Sequence, residues 1–404
     1  MKADDDSGHP GPGERAASPE ELLTQLCGSI FTSLGRRDQR LRAEQYVRGL
    51  LTARGRKTLR NIAEQIGGEP VRQSVHHFIS GSSWDWTEVR RALALTAERL
   101  LQPQAWVVRP TVIPRAGEHS VGVEEQFVPH LGQAVTGQQA FGAWLASAGA
   151  AVPGNWRLVL SRSWLEDPER RSRAGVPEGI GADPLEACAA DVVLTALTDW
   201  GVRPRPVVLD SEGLDPGECL RHFDRAGVPV TVRIGTRTRL RIDCKALRGY
   251  NDEEIPAGRL VASMKRMRRP VEWQDEWGRQ VHRNVAAVIP VVLPGVCEPG
   301  RSTERPLLLI AHWPVRERRH ARLWLTSASH LPVATLLALT DLTDVVARDS
   351  AAISENVGMR DFGGRSFQGW HRHVTMASVA HLVAVAAGAE HFPATGVAAV
   401  PRAG

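Results

Sequence analysis

The sequence is poor in cysteine, with five in 404 residues: Cys27, Cys188, Cys219, Cys244 and Cys297. None forms a CxxC pair and no His/Cys group has zinc spacing, which argues against a structural zinc site and a disulfide-stapled secreted fold. An odd, scattered set reads as reduced thiols, and Cys188 and Cys219 are expected to be buried helix residues. Long hydrophobic runs are also missing. No stretch of about 18 apolar residues is present to span a bilayer, and the N-terminus lacks an apolar core of signal-peptide length. The chain is therefore expected to be soluble and cytoplasmic, with no membrane partner. No internal repeat is visible. Neither sign of charge dominates: 50 Lys and Arg stand against 45 Asp and Glu, a net charge of +5. That modest basic excess is compatible with a polyanionic partner without identifying one.

What is present reads as a globular protein with room for two or three packed units: 42% of residues are hydrophobic and 24% charged. Residues 1–18 are polar and rich in Gly and Pro, a tail expected to be disordered. Ser18 then offers an N-cap, followed by Pro19 at the first helical position and Glu20 and Glu21 in the first turn. Over 19–102 the apolar residues recur at helical spacing: Leu22, Leu23, Leu26 and Ile30, then Tyr46, Leu50 and Leu51, then Ile62, Ala63 and Ile66, stopped by Gly67 and Gly68. Four to six helices are expected, with Val89 to Leu101 the last. Arg54, Arg56, Lys57 and Arg60, with arginines at 36, 37, 40, 42 and 48, form a basic cluster of the kind that contacts phosphates; solvated helix faces would look the same.

From 103 the texture changes. Val107-Val108, Val121 to Val123, Phe141 to Leu145 and Trp156 to Leu160 read as successive strands of an antiparallel meander. Leu185 to Trp200 reads as a helix, Val207 to Leu209 as a buried strand, Pro216 to Ala226 as a helix and Val228 to Ile234 as a strand. That alternation is a parallel-crossover signature. Residues 103–235 thus suggest an α/β core with a mixed sheet. Residues 236–330 return to strands, with two basic loops: Lys265, Arg266, Arg268 and Arg269 in one, Arg318 and Arg319 in the other. Segments 332–357 and 374–390, within a C-terminal part spanning 331–392, read as helices that complete the core, and 393–404 as a second tail.

Several stretches taken in order carry a resemblance. They are Gly117 to Val123; Asn155-Trp156-Arg157-Leu158-Val159-Leu160 with Ser163-Trp164 and Asp167 to Arg171; Val208-Leu209-Asp210; and Arg365-Ser366 with Gly369-Trp370-His371-Arg372-His373-Val374-Thr375. With Tyr46 to Leu51 and Trp84-Asp85, the series resembles the DDE-superfamily insertion-sequence transposases of bacteria over about residues 20–390. The resemblance implies an α/β fold: a ribonuclease-H-like mixed-sheet core with an N-terminal helical domain and a β-rich insertion. It also implies DNA as partner, a homodimer as an allowed assembly, and strand cleavage and transfer by three carboxylates around two divalent metals. Such hard cations require oxygen ligands.

The sequence departs from that pattern at the site. The first aspartate is expected at the end of the strand that here closes on Arg109. The second falls on Asp210, the surviving candidate catalytic position and metal ligand. The glutamate is expected on a late helix, at Ala347 or Arg348. Arg109 is expected to pair with Asp210 in place of metal–carboxylate contacts. Glu212, Asp215 and Asp349 are the acids available for a displaced set. Arg365, His371, Arg372 and His373 join the candidate DNA contacts, structural roles being the alternative for the histidines, and Trp370 is expected to pack in the core. Three functions stay open: a DNA-binding relative without normal metal-dependent cleavage, an active enzyme with a displaced site using Mg2+ or Mn2+, and a fold repurposed for a non-DNA partner or small molecule.

Overall fold

The computed structural model describes residues 18–115, 117, 119–128, 133–274, 281–297, 304–313 and 321–388. Arg318 and Arg319 lie outside the described residues. The first helix, α1 (Pro19–Ile30), starts on the Ser18 capping box: the Glu21 N–H donates to Ser18 Oγ and the Ser18 N–H to the Glu21 carboxylate at 2.8 Å. Four more helices follow: α2 (Arg37–Thr52), α3 (Leu59–Ile66), α4 (Glu69–Ser80) and α5 (Trp86–Leu101). Their apolar stripes bury Leu23, Tyr46, Leu50, Ile62, Phe78 and Leu93 in one core.

The chain then builds a mixed sheet whose twelve described strands run in the order β2-β3-β1-β5-β6-β12-β11-β10-β7-β8, with β4 added on β3 and β9 on β10. The strands are β1 (Ala105–Pro114), β2 (Glu124–Val128), β3 (Gln133–Ala146), β4 (Ala151–Leu158), β5 (Val207–Leu209), β6 (Val230–Ile234), β7 (Arg239–Ile242), β8 (Ile255–Pro256), β9 (Arg269–Gln274), β10 (Val281–Cys297), β11 (Glu304–Trp313) and β12 (Arg322–Thr326). Strands β1, β3 and β4 form the antiparallel meander, and β5 and β6 join parallel to β1. The crossovers between β4, β5 and β6 carry two helices, α8 (Leu185–Asp199) and α9 (Pro216–Arg225). Two short helices, α6 (Arg162–Leu165) and α7 (Pro168–Ala174), precede them, and α10 (Ala257–Ser263) lies between β8 and β9. This is a ribonuclease-H-like mixed α/β architecture.

One expectation needs correction. Val121 to Val123 is a turn leading into β2, not a strand, because Gly122 takes φ of +70° and breaks the extended run. The strands of 236–330 are continuous with the core, since β12 pairs antiparallel with β6 and carries β11, β10 and β7 beyond it. The late helices are α11 (Val333–Asp349), followed by a π-type stretch at Ser350–Ser354, and α12 (Phe367–Ala386), which starts seven residues before its expected position.

Candidate functional site

Strand pairing places three charged residues side by side. Val108 of β1 pairs with Leu209 of β5, and Leu209 pairs with Val232 of β6. The next level of the same ladder holds Arg109, Asp210 and Arg233, and the Asp210 N–H donates to the Val108 carbonyl at 2.9 Å. Residues level with one another on adjacent strands project to the same face. On that face Asp210 meets both arginines. Arg233 Nη1 lies 2.8 Å from Oδ1, and Arg109 Nε lies 3.8 Å from Oδ2. The Asp210 side chain is only 8% exposed, whereas Arg109 and Arg233 reach partway to solvent. Arg233 also binds Glu212 at 3.0 Å and lies over the Trp324 ring, 5.9 Å from its centroid. The expected Arg109–Asp210 contact is present. Arg233 was missed by sequence reasoning, although it stands one residue beyond the Val230-Thr231-Val232 run, as Asp210 stands one beyond Val207-Val208-Leu209.

The other named acids are used elsewhere. Asp215 caps α9 through the Glu218 N–H at 2.8 Å. Asp349 accepts from the Ala151 N–H at 2.8 Å and from Arg348 Nε at 2.7 Å. Arg348 donates to the Gly149 carbonyl in the turn between β3 and β4, and Ala347 brings only a methyl group. Divalent metals require several oxygens around one point. Here one carboxylate lies between two guanidiniums, which offer only N–H donors and repel a cation. At 4 Å and an effective dielectric of 20 each like-charge pair costs about 4 kcal/mol, and a dication about doubles that. This donor set does not fit the two-metal arrangement, and no group of three or more His, Cys, Asp or Glu among the described residues is placed to hold a metal.

A second polar cluster, also missed, lies on the same side of the sheet. Asp341 of α11 approaches His312 Nδ1 at 3.6 Å and Asn284 at 3.4 Å, while Asp344 pairs with Arg322 at 2.7 Å. Burial, with Asp344 nearby and Arg322 opposing, pushes the Asp341 carboxyl up to about 7.

The basic candidates divide by burial. Arg54, Arg56, Arg60, Lys265, Arg266, Arg268, Arg269 and Arg365 are exposed. Arg268 stacks on Trp313 at 4.1 Å, and Arg56 lies 3.5 Å from Asp361. Lys57 is 2% exposed, with its ammonium on the Ala53 carbonyl at the end of α2. His371, Arg372 and His373 are also inside, where α12 meets the N-terminal helices. His371 stacks on Trp86 at 4.9 Å and accepts from Arg90. Arg372 donates to the carbonyls of Trp84 and Ile79, and Tyr46 Oη bonds His373 Nδ1 at 2.8 Å. These four side chains therefore join protein to protein and leave no surface for a phosphate. Cys188, Cys219 and Trp370 are buried as expected.

Arg90 is the center of that junction. It is fully buried, and its five N–H groups are all spent, on Thr375, Asn155, the Trp156 carbonyl, His371 Nδ1 and the His371 carbonyl. No helix among the described residues is long and apolar enough to cross a membrane. No curated protein matches the chain. The family described as DDE superfamily endonuclease matches residues 29–287, from the helical domain into the first part of β10 and including Arg109, Asp210 and Arg233. With a ribonuclease-H-like sheet and a matched region covering more than half its length, the chain belongs to the DDE superfamily.

Proposed function

We propose that this chain is a transposase-like protein that binds duplex DNA and does not cut it by the two-metal route of its superfamily. The observation that carries the reading is the in-register row Arg109–Asp210–Arg233, in which the one carboxylate at the expected place is neutralised by two guanidiniums. The exposed arginines and lysine of the helical domain and of the segment before β9 support the binding half. Lys and Arg that neutralise phosphates release counterions, so such binding falls steeply with salt. The reading carries with it a cytoplasmic location, and two copies of the chain holding two DNA segments.

The test is a gel-shift titration with random-sequence duplex DNA at several salt concentrations, run beside a supercoiled-plasmid cleavage assay in Mg2+ or Mn2+. The expected result is salt-sensitive binding with the plasmid left intact. Metal-dependent nicking that disappears in Asp210→Ala would overturn the non-cleaving half. Absence of binding at low salt would overturn the DNA half and turn attention to a small-molecule or protein partner.

A further inference from the structure

The back of the sheet borders a cavity that nothing above uses. Arg157 of β4 lies level with Phe141 of β3 and Pro110 of β1, one position on from Arg109. Successive residues of a strand project to opposite faces, so Arg157 leaves the sheet on the face away from Arg109 and Asp210. Helices α5, α8 and α12 all pack against β4. Among them lies a cavity of about 250 Å³, the space of about eight waters. Trp86 lines it and is backed by the His371 ring, stacked at 4.9 Å, which Phe367 meets edge-on at 4.4 Å. These three rings hold one another in place and form a ready-made aromatic wall.

Two N–H groups of the lining meet no nitrogen or oxygen acceptor among the described residues. His371, 5% exposed, accepts from Arg90 through Nδ1, so its neutral ring carries the proton on Nε2, which bonds no described residue. Arg157 Nε is buried, with only the Cys188 thiol beside it. Charge is divided across the cavity as well. Arg90 is fully buried, bonds only neutral acceptors, and has Asp85, outside ion-pair contact, as the one acid that offsets it. At the solvent side Asp183 and Asp191, both exposed, hold the outer nitrogens of Arg157 and make that trio net negative. The buried side is thus positive and supplies donors, whereas the rim is negative and supplies acceptors.

We infer that this cavity binds a free amino-substituted nitrogen heterocycle, an aminopurine or aminopyrimidine of nucleobase size. Ring nitrogens accept from His371 and Arg157 on the buried side, the exocyclic amine donates to Asp191 at the rim, and the ring lies along the Trp86 wall. An aromatic anion would meet Asp191 unfavourably. An aromatic ring without acceptors would leave both N–H groups unpaired, a costly outcome once water is displaced. The inference is independent of the DNA reading, since it uses neither the central row nor the exposed arginines.

The test is isothermal titration of the full chain with adenine and with purine, which lacks only the amine. Benzoate serves as the anionic control and indole as the acceptor-poor one. Adenine is expected to bind about tenfold more tightly than purine, and purine more tightly than benzoate or indole. Asp191→Ala, at an exposed position, is expected to remove the preference for adenine and leave purine binding unchanged. Arg157→Lys keeps the charge but loses the Nε–H, and is expected to weaken adenine and purine alike by about tenfold. Thr195→Trp fills the cavity from α8 and is expected to abolish both. Unfolding midpoints confirm that each variant folds. The inference is overturned if adenine does not bind, if benzoate binds as tightly, if the adenine preference survives in Asp191→Ala, or if Thr195→Trp binds like the wild type.

Discussion

Asp349 Oδ2 accepts a hydrogen bond from the backbone N–H of Ala151 at 2.8 Å, so the last residue of α11 closes the start of β4. The Ala151 carbonyl is held as well, by His381 Nε2 of α12 at 2.9 Å. Two helices thus clamp both backbone groups of one buried residue. Asp349→Ala leaves that N–H unpaired and is expected to lower unfolding free energy by about 2 kcal/mol, read by urea titration. Asp349→Asn keeps an acceptor and is expected to lose less. Equal loss in both variants would mean that the charge of Asp349, rather than its contact with Ala151, supplies the stability.

Three buried histidines make stability fall in acid. His381 donates to Ala151 through Nε2, so its Nδ1 accepts from the Ser354 hydroxyl at 3.0 Å. His373 donates to the Gly358 carbonyl and accepts from Tyr46; His371 accepts from Arg90. Each pattern requires the neutral ring. Burial pulls His373 and His381 down to about 4 and His371 well below its ordinary 6.5. The unfolded chain therefore takes up protons between pH 6.5 and 4 that the folded chain refuses, so stability is complete above 6.5 and is lost as pH falls through this window. The contribution is on the order of 3 kcal/mol for each of His373 and His381. Denaturation midpoints should rise from pH 4.5 to 6.5, the three rings outweighing the opposite slope of Asp341, and a flat profile would show that these rings protonate in place.

Asp341 works in the opposite direction. Its folded value is raised to about 7 from an ordinary 3.8, so the native state keeps a proton that the unfolded chain releases. Stability from this group is present in acid and lost as pH rises through 7. Asp341→Asn, which has the shape of the protonated acid, is expected to stabilise the protein strongly at pH 8 and clearly less at pH 5, where only the first part of the window from 3.8 to 7 has been crossed. Thermal unfolding at the two pH values separates these outcomes.

The strand ends that build the central row were legible because short Val-rich runs followed by a charged residue mark buried parallel strands. Val107-Val108 before Arg109 and Val207-Val208-Leu209 before Asp210 share that form, and register then requires the pair to meet. Arg233 follows from the same rule but lacks a family position to draw attention to it. The C-terminal motif was legible as a motif, not as an environment. Consecutive His371, Arg372 and His373 read as a basic surface, yet they lie on a helix surrounded by α2, α4 and α5, a packing set by residues about 280–330 positions earlier in the chain. The Gly67-Gly68 stop was visible as a helix end. Its role as a turn between two packed helices depends on the stripes of α3 and α4 meeting in space.

Gly358 shows how tightly that C-terminal junction is packed. Its φ is +71°, and a Cβ there would run into the buried stem of Lys57. The same Lys57 donates its backbone N–H to Asp361 at 2.7 Å, so the helical domain cannot simply shift away. Gly358→Ala is expected to cost about 2–3 kcal/mol in unfolding free energy. Adding Lys57→Gly, which removes both the Cγ and the Cβ that a Gly358 Cβ would meet, relieves the clash, leaving the positive φ, and should recover part of the loss. A double-mutant cycle measures this coupling, and simple additivity would place the cost in backbone conformation alone.

The central row predicts how the site responds when its charges are changed. In Arg109→Asp, three carboxylates, with Glu212 counted, surround one guanidinium, Arg233, where the wild type has two guanidiniums with Asp210 and Glu212. Without metal this variant should unfold more readily than the wild type, since like charges at this separation repel. With Mn2+ it gains two oxygen ligands on adjacent strands, and Ala347→Glu is the change that would supply the third if its position on α11 is the superfamily's. An ion that binds only the folded chain, at a hundred times its dissociation constant, adds about 2.7 kcal/mol of stability. Thermal unfolding with and without Mn2+ should therefore show a metal-dependent rise for Arg109→Asp, a larger one with Ala347→Glu added, and none for the wild type. A rise in the wild type that Asp210→Ala abolishes would mean that Asp210 binds metal despite its two arginines, and the non-cleaving reading would have to be abandoned.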